Sequence, residues 1–106
     1  MTTFDERERA YESKFVHDAE LRFKAEARRN RLLGEWAAGL LDKTGDEAKS
    51  FALGVVAADV HEPGEEDVYR KLAADLEGKA GESEIRTKMA EMWDLARQQI
   101  IDEKEG

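Results

Sequence analysis

Strong helix breakers cluster at three places in this 106-residue chain, at Gly45, at Pro63-Gly64 and at Gly78 with Gly81. Pro63 is the one proline. Proline removes a backbone donor and glycine loses more conformational entropy on ordering than any other residue, so helices end where these residues gather. The stretches between them are rich in Ala, Leu, Glu, Lys and Arg, the residues that favour helix most. The spacing therefore predicts an all-α chain without strands, broken at those three points.

Apolar periodicity supports the same division. Leu32, Leu33, Trp36, Ala37, Leu40 and Leu41 form the densest stripe. Ala48, Phe51, Ala52, Val55 and Val56 repeat at helical spacing, and Thr44 with Glu47 forms a capping box that would satisfy the first free N–H groups. Val68, Leu72, Ala73 and Leu76 follow the proline turn, with Gly78 as a stop. A last stripe from near Ser83 carries Ile85, Met89, Met92, Trp93, Ala96 and Ile100. We expect helices over 20–41, 45–60, 65–77 and 83–102. Four one-sided stripes with short connections bury one another best as an up-and-down four-helix bundle. Its core should centre on Leu33, Trp36, Leu40, Phe51, Val55, Leu72, Met89 and Met92, and truncating a fully buried Phe51 would cost about 3–5 kcal/mol.

Charge narrows the function. The chain holds 25 acidic and 17 basic residues, a formal net charge of −8. A nucleic-acid binder needs a positive surface to neutralise phosphates, so none is expected. Cysteine is absent, which excludes disulfides, a thiol nucleophile and zinc-thiolate sites, and nothing demands an oxidising compartment. No stretch approaches the roughly 20 apolar residues of a membrane span, and MTTFDERERAYES has no apolar run, so neither membrane insertion nor a secretory signal is expected. The chain should be cytoplasmic.

The charge is uneven. Met1 to Arg31 holds 8 basic and 7 acidic residues, whereas Leu32 to Gly106 holds 9 and 18. Thr3 with Glu6 forms another candidate capping box, and Asp5/Arg9, Asp18/Arg22 and Glu20/Lys24 are acid-before-base pairs suited to an exposed helix. Extending the stripe of Leu32 to Leu41 backwards would put Asp18, Arg22, Glu26 and Arg29 on the core side, where unpaired charges cannot pack. We therefore expect an N-terminal arm, residues 1–18, projecting from or loosely attached to a bundle formed by residues 19–106. Phe4, Tyr11 and Phe15 fall on one narrow strip of a helical wheel. Three aromatics in an otherwise charged segment are the best functional clue.

Other motifs have simpler explanations. Asp42-Lys43-Thr44-Gly45 matches the phosphorylated aspartate signature of ion pumps, but a helix end followed by an N-cap accounts for all four residues. Gly34 and Gly39 have phosphate-loop separation without the Lys or hydroxyl such a loop needs, and more simply permit close helix packing. His17 and His61 lack a His or Cys partner at metal-ligand spacing and read as surface imidazoles. Arg22, Lys24, Arg28, Arg29 and Arg31 make one basic patch, either a docking face or a solvated, self-paired one. Trp36 and Trp93 read as core anchors with their N–H at the bundle edge. No metal or cofactor site is expected.

The run TFDERERAYESKFVHDAELRFKAEARRNRLLGEWAAGLLDKTGDEAKSFA closely resembles the ATP synthase inhibitor subunit zeta family of alphaproteobacteria. Phe4, Arg7, Glu8, Lys14-Phe15, His17-Asp18, Glu20-Leu21, Phe23-Lys24 and the block ARRNRLLGEWAA carry the resemblance most specifically; Asp67-Val68 and Ile85 to Met89 do so less. It implies a four-helix bundle that binds the catalytic head of the F-type ATP synthase, formed by alpha, beta and gamma subunits, and stops ATP hydrolysis while permitting synthesis. The protein would then be peripheral to the inner membrane. The resemblance makes roughly Thr2 to Ala19 the inhibitory element. The contact residues expected from it and from the residue pattern are Phe4, Asp5, Arg7, Glu8, Arg9, Tyr11, Glu12, Lys14, Phe15, His17 and Asp18. Two other readings are a generic helical adaptor using the same arm, and a small all-helical enzyme resembling chorismate mutase. The enzyme would require charged side chains inside the bundle, whereas the core stripes contain only apolar residues and Gly.

Overall fold

A computed structural model describes residues 18–58 and 65–105, with side chains through residue 103. It contains four helices, α1 (Ala19–Leu40), α2 (Gly45–Ala58), α3 (Glu66–Asp75) and α4 (Glu82–Glu105), and no strand among the described residues. Neighbours in sequence pack on each other and α4 returns along α1, which closes the bundle. The Thr3/Glu6 box, the Asp5/Arg9 pair, the strip of Phe4, Tyr11 and Phe15, and both histidines lie outside the described residues.

The breakers at Gly45 and at Gly78 with Gly81 act as anticipated, with details that only geometry supplies, while Pro63-Gly64 lies outside the described residues. After α1, the Lys43 N–H donates to the Ala38 carbonyl at 2.9 Å and the Asp42 N–H to that of Gly39 at 3.2 Å. These are the two bonds of a Schellman stop. Its left-handed position is filled by Asp42, at φ 57°, a conformation that Asp tolerates better than most residues. The DKTG tetrapeptide is thus a helix end and a helix start, with the Ala48 N–H donating to the Thr44 carbonyl at 3.3 Å. The Glu47 carboxylate, expected to reach back to the cap, meets the Lys43 ammonium at 2.9 Å. α3 stops at Asp75 rather than residue 77, because the chain turns at Leu76 and Gly78 takes φ 82°.

Buried side chains fall in two clusters. The larger contains Leu33, Ala37, Val55, Val68, Leu72, Leu76, Ile85 and Met89. Trp36, Leu40, Phe51 and Met92, expected at its centre, are only half-buried around it. Phe51 has its ring under two ammonium groups, Lys71 at 5.3 Å and Lys43 at 5.8 Å from the centroid. Its truncation therefore removes less buried area than the expected full burial implied. The smaller cluster, Leu21, Ala25 and Ile100 with Trp93 and Ile101 against it, joins the start of α1 to the end of α4.

The inner face of α1 differs from the expectation. Leu21, Ala25, Arg29, Leu33 and Ala37 are buried in steps of four, and Asn30, Gly34 and Ala38 form a parallel buried row. A four-residue step turns the helix by about 40°, so the contact line winds around α1 instead of running straight back from Leu33. Arg22 is consequently exposed and Asp18 and Glu26 are half-buried, while Arg29 does enter the interior, at 5% exposure. The core rows therefore include one charged residue and one amide, Asn30, which corrects the expectation of purely apolar stripes.

Gly34 and Gly39 separate in role. A Cβ on Gly34 would stand 2.5 Å from the Ala52 Cα of α2, so helix backbones meet there. A Cβ on Gly39 would meet nothing within 4 Å, so close packing does not explain that glycine. The same substitution should have opposite signs at the two sites. Gly34→Ala should destabilise, because overpacking typically costs about 1–3 kcal/mol and outweighs the propensity gain. Gly39→Ala should stabilise by about 0.5–1 kcal/mol through helix propensity alone. Urea midpoints of both variants test this, and equal shifts would mean that α1 and α2 are not in contact at Gly34.

Candidate partner-binding site

The described chain begins at a helix cap. Asp18 has extended backbone angles, φ −106° and ψ 101°, and its carboxylate accepts the N–H groups of Glu20 at 3.1 Å and Leu21 at 3.2 Å. Its carbonyl accepts the Arg22 N–H at 3.0 Å. The register of α1 is therefore set at Asp18, and Glu20 adds an acidic group to a first turn whose dipole favours one. Of the eleven residues expected to contact a partner, Asp18 is the one within the described residues, and its carboxylate already serves this cap. An Asp just before an apolar-periodic run, with Glu in the first turn, is an ordinary N-cap signature that the pairing with Arg22 obscured.

Beside the cap lies a cleft of about 310 Å³ lined by Asp18, Glu20, Leu21, Lys24, Ile100 and Glu103. Its floor is the small apolar cluster, and charged groups line its rim. Arg28 spans this end of the bundle. It donates to Gln99 Oε1 at 2.8 Å and Glu103 Oε1 at 2.9 Å, and comes within 2.6 Å of Glu103 Oε2. These bonds hold the Glu103 carboxyl below its usual range and raise Arg28 further. At the other connection Arg86 forks onto both oxygens of Glu66 at 3.0 and 3.1 Å, which lowers the Glu66 carboxyl in the same way.

The five basic residues at 22–31 do not form one patch. Lys24 pairs with Glu20 at 3.3 Å, Arg28 with Glu103, and Arg31 approaches Glu35 at 4.0 Å. Arg29 turns inward, with Nε on Asn30 Oδ1 at 3.0 Å, a terminal nitrogen 3.6 Å from Glu65 and the Trp93 ring 5.6 Å away. It does not line the cleft. A buried arginine was the feature that would favour a substrate-binding bundle, and this one is engaged by the bundle itself. Among the described residues no group of three or more His, Asp or Glu side chains is arranged to hold a metal ion, and no helix is long and apolar enough to cross a membrane.

Sequence reasoning did not single out exposed apolar side chains on the bundle. Phe23 is 70% exposed, Leu53 65% and Leu95 43%. Phe23 stands on α1 five residues after the cap, on the side away from Leu21 and Ala25.

The family model described as ATPase inhibitor subunit zeta matches residues 1–99. A structure determined by NMR in solution is 51% identical to this chain, with a TM-score of 0.73; the match covers 78% of this chain and 98% of that one. No curated protein matches.

The two Arg–Glu forks carry a pH dependence of known sign. A carboxyl whose folded pKa is depressed adds stability that is present above its unfolded pKa and is lost as pH falls through the folded value. Acid should therefore lower the thermal midpoint as pH passes down through the ordinary glutamate range and below it. The Glu66→Gln/Glu103→Gln variant should show a shallower decline. Both carboxylates are exposed and screened, so the difference is small; parallel melting curves across that range would show that the forks contribute nothing.

Proposed function

The chain belongs to the ATPase inhibitor subunit zeta family, and from that premise we propose that it inhibits ATP hydrolysis by the F-type ATP synthase through its N-terminal segment. The arm, residues 1–18, enters a catalytic interface between neighbouring subunits of the head, near the rotating shaft. There it blocks rotation in the hydrolysis direction while permitting synthesis. The bundle, residues 19–106, carries the arm.

The observation that supports this division most directly is the Asp18 cap. A bundle that starts its own first helix with a side-chain cap does not need the preceding residues to define it. Most of its nearby cations are occupied internally, so the side chains best suited to a protein groove are Phe4, Tyr11 and Phe15. A helix laid in a groove gains most from a few buried aromatic anchors, whereas rim charges such as Asp5, Arg7, Glu8, Arg9, Glu12 and Lys14 steer and set register. His17 lies next to the cap, where the arm meets the bundle.

Titrating ATP hydrolysis by purified F-type heads tests the proposal. The full chain should inhibit and a variant lacking residues 1–17 should not. Phe15→Ala should weaken inhibition by about 2 kcal/mol, roughly thirtyfold, against about 1 kcal/mol or less for one exposed charge. If the full chain leaves hydrolysis unchanged at saturation, the inhibitor reading is wrong and a helical adaptor replaces it. If the Phe4, Tyr11 and Phe15 triple alanine variant inhibits normally while the truncation does not, the arm acts through its charges or backbone.

A further inference from the structure

Four of the five aromatic side chains among the described residues have a cation over the ring. Trp36 has Lys88 at 5.8 Å, Phe51 has Lys71 at 5.3 Å, Tyr69 has Arg86 at 3.7 Å and Trp93 has Arg97 at 5.5 Å. Each of those four is also half-buried. Phe23 differs on both counts: it has no such contact and is 70% exposed. Two residues from buried Leu21 and two from buried Ala25, it stands about 160° around α1 from both. Among the described residues it belongs to neither buried cluster.

We infer that the partner-gripping surface continues past the cap onto the first turns of α1, with Phe23 as its apolar anchor. The inference rests on the inhibitor reading and names more of the same contact; the occupant is the ATP synthase head that takes the arm. Three observations place it there. Phe23 lies only five residues from Asp18, about 7.5 Å along the helix axis, so a body that holds the chain up to the cap lies against it. Within α1, Ala19, Phe23 and Ala27 recur at four residues, the interval of a packing ridge. Ala19 is exposed and Ala27 half-buried; such small flanks let a groove wall approach the ring. On one side of this strip Glu20 and Lys24 are paired with each other, at 3.3 Å, and on the other stand Arg22 and Glu26, so the charges flanking the ring balance.

The test measures inhibition of ATP hydrolysis by the full chain, by Phe23→Ala and by Leu53→Ala, with thermal midpoints beside it. Leu53 is a comparably exposed apolar residue, on α2. We expect Phe23→Ala to raise the half-inhibiting concentration roughly tenfold or more, Leu53→Ala to leave it unchanged, and both variants to melt like the parent. If the parent chain inhibits and Phe23→Ala inhibits equally well, this inference falls and the inhibitor reading stands. Equal losses at Phe23 and Leu53 also overturn it, because the effect would then belong to surface apolarity in general. If the parent chain fails to inhibit, the inhibitor reading is wrong and the inference goes with it.

Discussion

The contact between Gly34 of α1 and Ala52 of α2 sets how closely the bundle can draw together. With a Cβ position only 2.5 Å from the opposing Cα, the two helices meet backbone to backbone at that point. Close approach brings Leu33 and Ala37, beside Gly34 on α1, into the same cluster as Val55 on α2. Interiors pack at crystal-like density, so an α1 held further out would leave voids around those side chains. The winding row from Leu21 to Ala37 then has one end against α4 and the other in the main core. α1 thereby packs against two helices at once.

A chain with 40% charged residues has little apolar material for a core, and the structure uses it sparingly. The largest side chains sit at the rim instead of the centre. Trp36, Phe51, Tyr69 and Trp93 are half-buried, and each has a Lys or Arg over its ring. Such cation–ring contacts stabilise by about 0.5–1 kcal/mol at exposed sites and let the aliphatic stems of the cations cover apolar surface. The centre is filled by Leu, Val, Ile, Met and Ala, whose smaller volumes suit short helices.

Much of this was legible in the sequence, because apolar residues at intervals of three and four report directly on which side of a helix is covered. Helix number, order and approximate limits follow from those stripes and from Gly45, Pro63 and Gly78. Periodicity places Arg29 on the core side, but what holds it there was not legible. Its burial depends on neighbouring Asn30, on Glu65 just before α3 and on Trp93 of α4 meeting it, and a pattern along α1 alone cannot show that convergence. Phe51 and Trp36 were placed too deep for a related reason: periodicity identifies a face, whereas the lysines that take the outer side of each ring come from other segments. On the candidate site, the aromatic strip expected from the sequence lies outside the described residues. Sequence reasoning missed that Asp18 is a cap and that Phe23 points away from the core, because both depend on where α1 begins and which way it is turned.

The uneven division of the buried side chains has a consequence for how the bundle opens. Eight residues from all parts of the fold form the main cluster, whereas Leu21, Ala25 and Ile100 alone form the one between the start of α1 and the end of α4. Local opening costs least where the fewest apolar contacts must be broken. The first two turns of α1 and the last two of α4 can therefore separate transiently while the main cluster stays closed. Arg28 and Glu103, 75 residues apart in sequence, act across that gap as a latch. The end of the bundle at which α1 begins is thus its most yielding part, and the first turns of α1 can shift without disturbing the remainder of the fold.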